Sequence, residues 1–510
     1  MSAWVEAAGP AARARTRPRV GPATLLGAIM LLGAALRLYH IGHDSYWRNE
    51  LFTLFWIRNP LAFLLGHGLF VETNPPLHFV LLKLWAGLFG PSEVATRSLS
   101  ALASLAAIGL VYRLGAVLAG ARGGLIAALL VALAPMQIAA AQEARVYAFL
   151  PGLVAFTLLG AVRLLGEDAG WRRGLAAYTV GAVLLLWSHA TAAIILAALG
   201  LCVLASLILG RRERVWPFIG ASLLACLLAA PVAAGMAMQL GSPDIAWMPP
   251  FGATTVLMVC RDLIVGPLLR GDLGPSLSAA WLGLELLLSL GGVVLLLLLA
   301  PRAMGGSAAF RLLIVFPLLF LALAALISVA RPILEPRIVL WMQVPLAVAA
   351  ALILDAPAIR PWLRHGLAGV LAAGIAIGLC NNVFLPSQHK PDWRGFARDH
   401  DLTRDSGAMA VAGPHAGVLG FAFYAGGTVR RPVGLWMPRP EPAGTSGDLV
   451  ARAALPFQTL STDALVARIR AGHGVVLALD DGDRRFAAGL IARVPPRAER
   501  AYDGLLVLRW

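Results

Sequence analysis

Long apolar stretches alternate with short polar connections along most of the chain. A helix needs about 20 mainly apolar residues to cross the hydrocarbon core of a bilayer. Eleven stretches approach or exceed this length, at 21–38, 93–118, 123–141, 147–165, 173–188, 190–209, 216–238, 277–300, 309–329, 336–354 and 364–384. The pattern predicts a polytopic α-helical membrane protein with about eleven spans.

Composition excludes several other classes of protein. Of the 510 residues, 59% are hydrophobic and 14% charged, whereas about a quarter are charged in an ordinary soluble protein. The four cysteines lie far apart inside apolar stretches, so neither a C-x-x-C metal site nor a disulfide framework is indicated. We therefore expect no metal and no soluble, disulfide-stapled domain.

The net charge of +15 comes almost entirely from arginine, since lysine occurs only at Lys83 and Lys390. No compact basic run with interleaved aromatic residues is present, which argues against a nucleic-acid partner. The arginines collect in alternate connections together with the N-terminus, and the acidic residues collect in the others. Arginine-rich short loops stay in the cytoplasm, so we expect a cytoplasmic N-terminus, an extracytoplasmic C-terminus and a bacterial plasma (inner) membrane location.

The chain divides into three predicted regions. Residues 1–20 form a basic cytoplasmic segment, 21–386 a transmembrane domain, and 387–510 a small extracytoplasmic α/β domain. Two outer loops are long, at 40–92 and 240–276. The first contains two amphipathic pieces, near 50–65 and 77–89, typical of helices lying along the membrane interface. Within the tail we predict strands at 407–413, 474–479 and 502–510 and a helix at 462–471.

Ionisable residues gather at the predicted outer ends of the spans. Such groups are costly near the membrane unless they are paired or hydrated, and they often mark functional sites. A carboxylate can act as a general base, and arginine can hold a phosphate and stabilise the charge on a departing one. Together they suit transfer of a group from a lipid-linked phosphate to an acceptor outside the cytoplasm.

Several short motifs occur in a characteristic order. They are Trp47-Arg48-Asn49-Glu50, Asn74-Pro75-Pro76-Leu77, Gly90-Pro91-Ser92-Glu93 with Arg97, Gln142-Glu143-Ala144-Arg145-Val146-Tyr147-Ala148, His189, Pro336-Arg337 and Asp392-Trp393-Arg394. Over about residues 20–400 the chain thereby resembles the GT-C superfamily of membrane glycosyltransferases. It looks most like the branch of dolichyl-phosphate-mannose protein mannosyltransferases and bacterial aminoarabinose transferases.

The resemblance implies an inverting glycosyltransferase of GT-C-like fold. It would use a polyprenyl-phosphate sugar as donor, an extracytoplasmic glycan, lipid or protein as acceptor, and no cofactor or metal. Family members usually carry Asp-Glu in the first loop, whereas this chain has Asn49-Glu50, and asparagine cannot accept a proton. The predicted catalytic residues are Glu50, as base, and Asn49, with Asp44 and Glu72 in reserve. The predicted substrate-binding residues are Asn74, His78, Glu143, Arg145, Tyr147, His189 and Arg337, with Arg145 and Arg337 holding the lipid phosphate.

Two other functions stay open. A transporter or flippase for a polyprenyl-linked glycan would need charges in mid-membrane, and Glu285 is the main acidic residue within a span. A catalytically inactive, glycan-binding scaffold of the same fold is favoured by Asn49. Structural roles are also open for individual residues: a helix cap for Glu50 or Asn74, a turn pair for Glu143 and Arg145, a snorkelling role for Arg337, an aromatic-belt role for Tyr147 and a structural role for Arg97.

Overall fold

The computed structural model describes residues 21–167, 169–239, 250–266, 275–381, 390–399, 409–413, 416–424, 433–436, 457–480, 484–502 and 504–510. The predicted segment 1–20, parts of the loop 240–276 and the predicted boundary at 386–387 lie outside these residues.

The described part of the chain is mainly helical. The α-helices are α1 (Pro22–Leu38), α2 (Arg48–Arg58), α3 (Leu61–Leu65), α4 (His67–Val71), α5 (Leu77–Phe89), α6 (Glu93–Leu133), α7 (Pro135–Ala141), α8 (Leu150–Leu165), α9 (Trp171–Leu186), α10 (Ala192–Gly210), α11 (Val215–Leu228), α12 (Ala230–Met238), α13 (Ala253–Asp262), α14 (Pro275–Met304), α15 (Ala308–Phe310), α16 (Phe316–Ala330), α17 (Gln343–Asp355), α18 (Pro361–Leu379), α19 (Trp393–Asp399), α20 (Ala416–Tyr424), α21 (Thr462–Arg470) and α22 (Arg484–Arg493). Short 3₁₀ segments at Val146–Ala148, Arg212–Arg214 and Pro336–Met342, and a π turn at Arg311–Val315, complete the helical part.

Helix α6 is two helices that fold back on each other. The backbone leaves the helical region at Ala119 and at Gly120, whose φ of 69° glycine adopts readily. A Cβ at Gly124 would lie 2.6 Å from the carbonyl oxygen of Tyr112, so glycine allows the two halves to touch backbone to backbone. The break falls between the predicted spans 93–118 and 123–141.

Within the described residues, seven helices are long and apolar enough to cross a membrane when α6 is counted once, or up to nine if two bent pairs each count as one span. Helices α1 and α5 are apolar but shorter. Within the described residues the polytopic helical fold is therefore confirmed, whereas the number of about eleven spans stays a prediction.

The first predicted outer loop forms helices α2 to α5. Residues Arg48–Arg58 and Leu61–Val71 are bent by 114° relative to each other. The bend occurs at Asn59, which is extended (ψ 157°) because the following Pro60 disfavours a helical conformation. Helices in this region are thus confirmed, but the piece predicted over 50–65 is broken into two, and the position of these helices along the membrane interface stays a prediction.

The tail contains the predicted small sheet. Its six strands are β1 (Met409–Ala412), β2 (Val433–Trp436), β3 (Phe457–Leu460), β4 (Val475–Asp480), β5 (Ala498–Tyr502) and β6 (Leu505–Arg509). They are arranged in the order β3-β2-β1-β4-β6-β5, parallel from β3 to β4 and antiparallel at β6 and β5. The sheet has one hydrophobic core on each face, because successive residues of a strand point to opposite faces. Ala410 and Ala412 of β1 pack with α2 and α20, whereas Met409 and Val411 pack with α21 and α22.

Candidate active site

Glu50 and Arg97 form a fully buried ion pair at the start of α2. Their exposed fractions are 0% and 1%. Arg97 donates from Nε to Oε1 and from Nη2 to Oε2, each at 2.8 Å. The same carboxylate accepts the backbone N–H of Ala144 at 2.9 Å and that of Trp47 at 3.3 Å, and the Lys390 Nζ lies 3.7 Å away.

These contacts make Glu50 a structural anion. Burial alone would raise its pKa, but Arg97, Lys390 and the hydrogen bonds outweigh burial and hold the pKa at about 2. A carboxylate whose charged form is so strongly favoured is a poor proton acceptor near neutral pH. The assignment of Glu50 as the base stays a prediction, and the surroundings of the carboxylate speak against it.

Arg145 is buried beside this pair but has no acidic partner of its own. It is 9% exposed. Its Nη1 donates to the carbonyl oxygen of Asn49 at 3.1 Å and to Thr53 Oγ1 at 3.0 Å. Within the described residues its Nε has no hydrogen-bond partner, and no carboxylate forms an ion pair with its guanidinium. Burying an unpaired cation is costly, so this is a place where an anion would be stabilised.

Two buried histidines lie near Arg145. His78, 3% exposed, packs edge-on against Phe149 with ring centroids 5.4 Å apart, and among the described residues its Nε2 has no partner. His189, 5% exposed, places Nδ1 2.9 Å from Thr191 Oγ1. Burial, and then the charge of Arg145, lower the pKa of His78 to about 3 and that of His189 to about 4. Both imidazoles are therefore neutral at pH 7.

Tyr147 links these groups. Its ring centroid lies 5.6 Å from that of His189 and 5.8 Å from the guanidinium carbon of Arg145. The backbone explains this arrangement: the bond from Ala144 N–H to Glu50 anchors the turn, and the extended Arg145 leads into the 3₁₀ segment that carries Tyr147. The structural ion pair thus positions the unpaired arginine.

Arg337 reaches the same end of α2 from the distant segment Pro336–Met342. Its guanidinium carbon lies 4.5 Å above the Trp47 ring, and its Nε is 3.8 Å from Glu335 Oε1. Glu143 and Glu335 both act electrostatically on Arg337. Glu143 is half-buried and has no hydrogen bond or ion pair from its carboxylate within the described residues.

Most predicted site residues therefore come together. The group around Arg145, which we call the Arg145 cluster, contains Asn49, Thr53, His78, Glu143, Arg145, Tyr147, His189 and Arg337. Asn74 instead bonds locally: its backbone N–H and Nδ2 both donate to Glu72 Oε1 at 3.2 Å. The reserve Asp44 contacts the neighbouring His43.

Sequence reasoning missed three contributors. Thr53 lies one helical turn after Asn49, a spacing that places both on one face of α2. Trp47 belongs to the Trp47-Arg48-Asn49-Glu50 motif, but its contact with Arg337 was not predicted. No sequence motif indicates Lys390 as a site residue, because only the folded chain brings it near Glu50. Arg97, expected to be structural, is the partner of Glu50.

Glu285 belongs to another polar group. It is buried in α14, and Asn381 Nδ2 donates to its Oε1 at 2.7 Å. Arg261 and Asp262 of α13 form an ion pair at 2.6 Å, and the Arg261 carbonyl oxygen accepts from Ser289, one helical turn after Glu285. The main in-span acidic residue of the transporter alternative thus has Oε1 held by Asn381, whereas its Oε2 has no hydrogen-bond partner within the described residues.

The sequence and the fold have recognisable relatives. Residues 73–234 match the model of the family "Dolichyl-phosphate-mannose-protein mannosyltransferase". No curated protein matches the chain. Among solved structures, the chain is similar to ArnT from Cupriavidus metallidurans bound to undecaprenyl phosphate, with 16% identity, a TM-score of 0.57 and coverage of 96% of this chain and 97% of that one.

Further structures agree. ArnT from Cupriavidus metallidurans in the apo state matches with 15% identity and a TM-score of 0.59 over 96% of this chain and 97% of that one. The Archaeoglobus fulgidus oligosaccharyltransferase in the apo form matches with 13% identity and a TM-score of 0.50 over 93% of this chain and 71% of that one. Identities this low show the fold alone. With the family match, they confirm the resemblance to the GT-C superfamily that the ordered motifs indicated.

Proposed function

We propose that the protein is a membrane glycosyltransferase that moves a sugar from a polyprenyl-phosphate donor to an extracytoplasmic acceptor. The observation that carries this proposal is the buried Arg145, which has no carboxylate partner within the described residues and has an unused Nε. The family match, and a fold shared with a structure named as holding undecaprenyl phosphate, supply the chemical class of the missing anion.

Arg145 is the proposed phosphate ligand. Its Nε is a free donor, and the nearby His78 Nε2 is a second unused polar atom. Charge-assisted hydrogen bonds to a phosphate are about twice as strong as neutral ones. Arg337 supplies a second positive charge from the Trp47 side, and the neutral His189 and Tyr147 orient the donor. Because both histidines stay neutral, they can add hydrogen bonds to the donor but no further positive charge.

We assign the role of general base to Glu143 rather than Glu50. The Glu50 carboxylate is occupied by Arg97 and Ala144, and Asn49 cannot accept a proton. Glu143 lies two residues before Arg145 and is half-buried, and its carboxylate has no hydrogen bond or ion pair among the described residues, although the charge of Arg337 acts on it. It is therefore free to receive an acceptor proton next to the proposed phosphate site.

The proposed reaction is a single displacement. The acceptor oxygen forms a bond to the anomeric carbon on the face opposite the phosphate while the bond from that carbon to the phosphate oxygen breaks. The electron pair leaves with the polyprenyl phosphate, whose added charge Arg145 stabilises. The acceptor proton passes to Glu143. The result is inversion at the anomeric carbon, with no metal needed to stabilise the monophosphate leaving group.

A groove beside the site is suited to the prenyl chain. It has a volume of about 520 Å³, lies between α9, α10 and α11, and is lined almost wholly by apolar side chains. Leu186, at one end of its lining, precedes His189 by three residues. Ala193 and Gly200 leave room along α10. We propose that the prenyl chain lies along this groove and approaches the Arg145 cluster at its Leu186 end.

Transfer assays test the proposal and the base together. The purified protein would be assayed in nanodiscs with radiolabelled undecaprenyl-phosphate sugars and bacterial envelope extract as acceptor. We expect wild type to transfer at least one sugar, and Glu143→Gln to lose a factor of about 10² to 10⁴ in rate, with partial rescue in Glu143→Asp. Full transfer by Glu143→Gln would contradict the base assignment.

A non-catalytic scaffold is the second candidate function. It is favoured by Asn49 and by the occupied Glu50 carboxylate. The two functions differ in the Asn49→Asp variant, which introduces the acid that members of the resembled family usually carry at this position. If wild type and Asn49→Asp both bind undecaprenyl phosphate yet transfer no sugar from any donor, the scaffold replaces the enzyme.

A further inference from the structure

A second groove lies on the tail domain, where α21 and α22 end. It has a volume of about 600 Å³, and its polar lining includes Arg470, His473, Arg497 and Trp510. Gly472 forms the bend between α21 and β4: its φ of 82° suits glycine, and its N–H donates to the carbonyl oxygen of Ile469. The bend brings His473 into the groove lining.

The charge of this groove is one-sided. No acidic residue lines it within the described part of the chain. Arg470 and Arg497 are exposed. Arg470 Nη2 donates to the carbonyl oxygen of Arg493 at 3.4 Å, and neither arginine has an ion pair among the described residues. By contrast, Arg493 outside the lining is paired with Asp463 at 2.7 Å. Two unpaired guanidiniums on one concave surface attract an anionic ligand.

Trp510 gives the groove a rigid aromatic edge. Its indole Nε1 donates to the carbonyl oxygen of Val494 at 2.8 Å, and its backbone exchanges hydrogen bonds with Val475 of β4. The ring is half-buried. A fixed, partly exposed indole offers a flat apolar face to the carbon skeleton of a ligand. Aromatic surface beside planar guanidiniums is a combination suited to a sugar that carries negative groups.

The groove is separate from the Arg145 cluster. Helices α21 and α22 cover one face of the sheet, whereas α2, which carries Asn49 and Thr53, packs against the other. A ligand in the groove therefore leaves the Arg145 cluster free. This separation suits an extended molecule that is bound in the groove at one end and reacts at the Arg145 cluster at the other.

We propose that the groove formed by Arg470, His473, Arg497 and Trp510 binds an acidic saccharide that carries carboxylate or phosphate groups. The arginines contact the anionic groups, and Trp510 packs against a sugar ring. In the role of acceptor site this inference rests on the proposed function, but saccharide binding itself does not require catalysis.

Calorimetry with the full chain in phosphatidylcholine nanodiscs tests the proposal. Trigalacturonic acid is the acidic probe, and maltotriose is a neutral probe of the same length. We expect trigalacturonic acid to bind at least about tenfold more tightly than maltotriose, and more weakly as salt is raised. The double variant Arg470→Gln/Arg497→Gln should lose about tenfold or more in affinity. The matched control Arg493→Gln, which alters an already paired arginine, should stay within about twofold.

Several results would overturn the proposal. These are no binding of trigalacturonic acid by wild type, equal binding of maltotriose, or an unchanged double variant. Displacement of the probe by phosphatidylglycerol vesicles would assign the groove to lipid headgroups instead. Trp510→Leu should weaken the acidic probe as well, because the ring contact is lost. A protein that binds trigalacturonic acid but transfers no sugar would refute the proposed enzyme and leave the groove intact.

Discussion

Arg97 and Arg145 are two buried guanidiniums at the same end of α2, and their surroundings differ sharply. Arg97 directs hydrogen bonds to Glu50 and to the carbonyl oxygens of Ile41, Asp44 and Ser45, so every one of its nitrogens is used. Arg145 bonds only neutral oxygens, and its Nε is unused within the described residues. Arg97 is thus fully hydrogen-bonded within the fold, whereas Arg145 is the arginine that we propose binds the phosphate.

The comparison shows how a site near a membrane is built. A buried charge is tolerated when it is paired and fully hydrogen-bonded, and an incomplete one is costly. The Glu50–Arg97 pair fixes Ala144, and Ala144 in turn fixes the position of Arg145. The stable Glu50–Arg97 pair thus holds the Arg145 cation in place. We propose that a phosphate supplies the anion that Arg145 lacks.

The largest effect is expected from breaking the completed pair. Arg97→Leu leaves the Glu50 carboxylate buried without its partner and should lower the free energy of unfolding by about 3–5 kcal/mol. Thermal unfolding in detergent, with yield of folded protein, measures the change.

Glu50→Gln serves as the second arm of this experiment. We expect it to be destabilised as well, because it leaves Arg97 uncompensated. The double variant Glu50→Leu/Arg97→Leu should recover part of the loss, since it removes both charges. If Glu50→Gln unfolds like wild type and loses only sugar transfer, Glu50 is the catalytic base and the contrast between the two arginines is wrong.

A smaller effect per residue is expected from the two buried histidines. Their pKa values of about 3 and 4 lie below the ordinary value of 6.5, so below pH 6.5 the unfolded chain takes up protons that the folded protein does not. Folding stability is therefore retained above pH 6.5 and lost as pH falls, by up to about 1.4 kcal/mol per pH unit for each histidine.

Melting temperatures at pH 7 and pH 5 measure this dependence. The double variant His78→Gln/His189→Gln should show a smaller drop between the two pH values than wild type. His67→Gln, at an exposed position, is the control and should behave as wild type. An equal drop in all three proteins would mean that the buried histidines do not avoid protonation.

The smallest effect concerns the orientation of Arg145. Thr53→Val removes the hydroxyl that accepts from Nη1, and we expect a several-fold loss of undecaprenyl phosphate affinity, equivalent to about 1 kcal/mol. Thr53→Ser keeps the hydroxyl and should retain affinity. Equal losses in both variants would show that packing of the methyl group, rather than the hydrogen bond, matters.

The sequence predicted the helical membrane fold and the membership of most of the Arg145 cluster. Apolar length identifies helices directly, and Arg145, Tyr147 and Arg337 belong to ordered motifs. The pairing within the cluster was not predictable, because Glu50 and Arg97 are 47 residues apart and only the packing of α2 on α6 joins them. The contact between Asn49 and Arg145 was equally unpredictable from the sequence. Arg145 binds the backbone carbonyl oxygen of Asn49, which any residue could supply.

In the tail domain, the sequence pattern predicts only some of the strands. Strands β1, β4 and β6 were predicted from apolar runs bounded by glycine and charge. Strands β2 and β3 have only four residues each, and parallel pairing with β1 and with each other, rather than local pattern, defines them. Arg470, Arg497 and Trp510 carry no motif, so the second groove emerges only from the arrangement of α21, α22 and β4.

Binding of undecaprenyl phosphate to the Arg145→Gln variant tests the central claim most directly. Native mass spectrometry would compare wild type, Arg145→Gln and the control Arg302→Gln, an exposed arginine that bonds the carbonyl oxygen of Leu298. We predict a loss of about 10- to 100-fold for Arg145→Gln, with an unchanged control and a melting temperature that is not lowered, because a costly buried cation is removed. Wild-type affinity in Arg145→Gln, or a loss of affinity accompanied by unfolding, would contradict the claim that Arg145 is a buried cation reserved for the lipid phosphate.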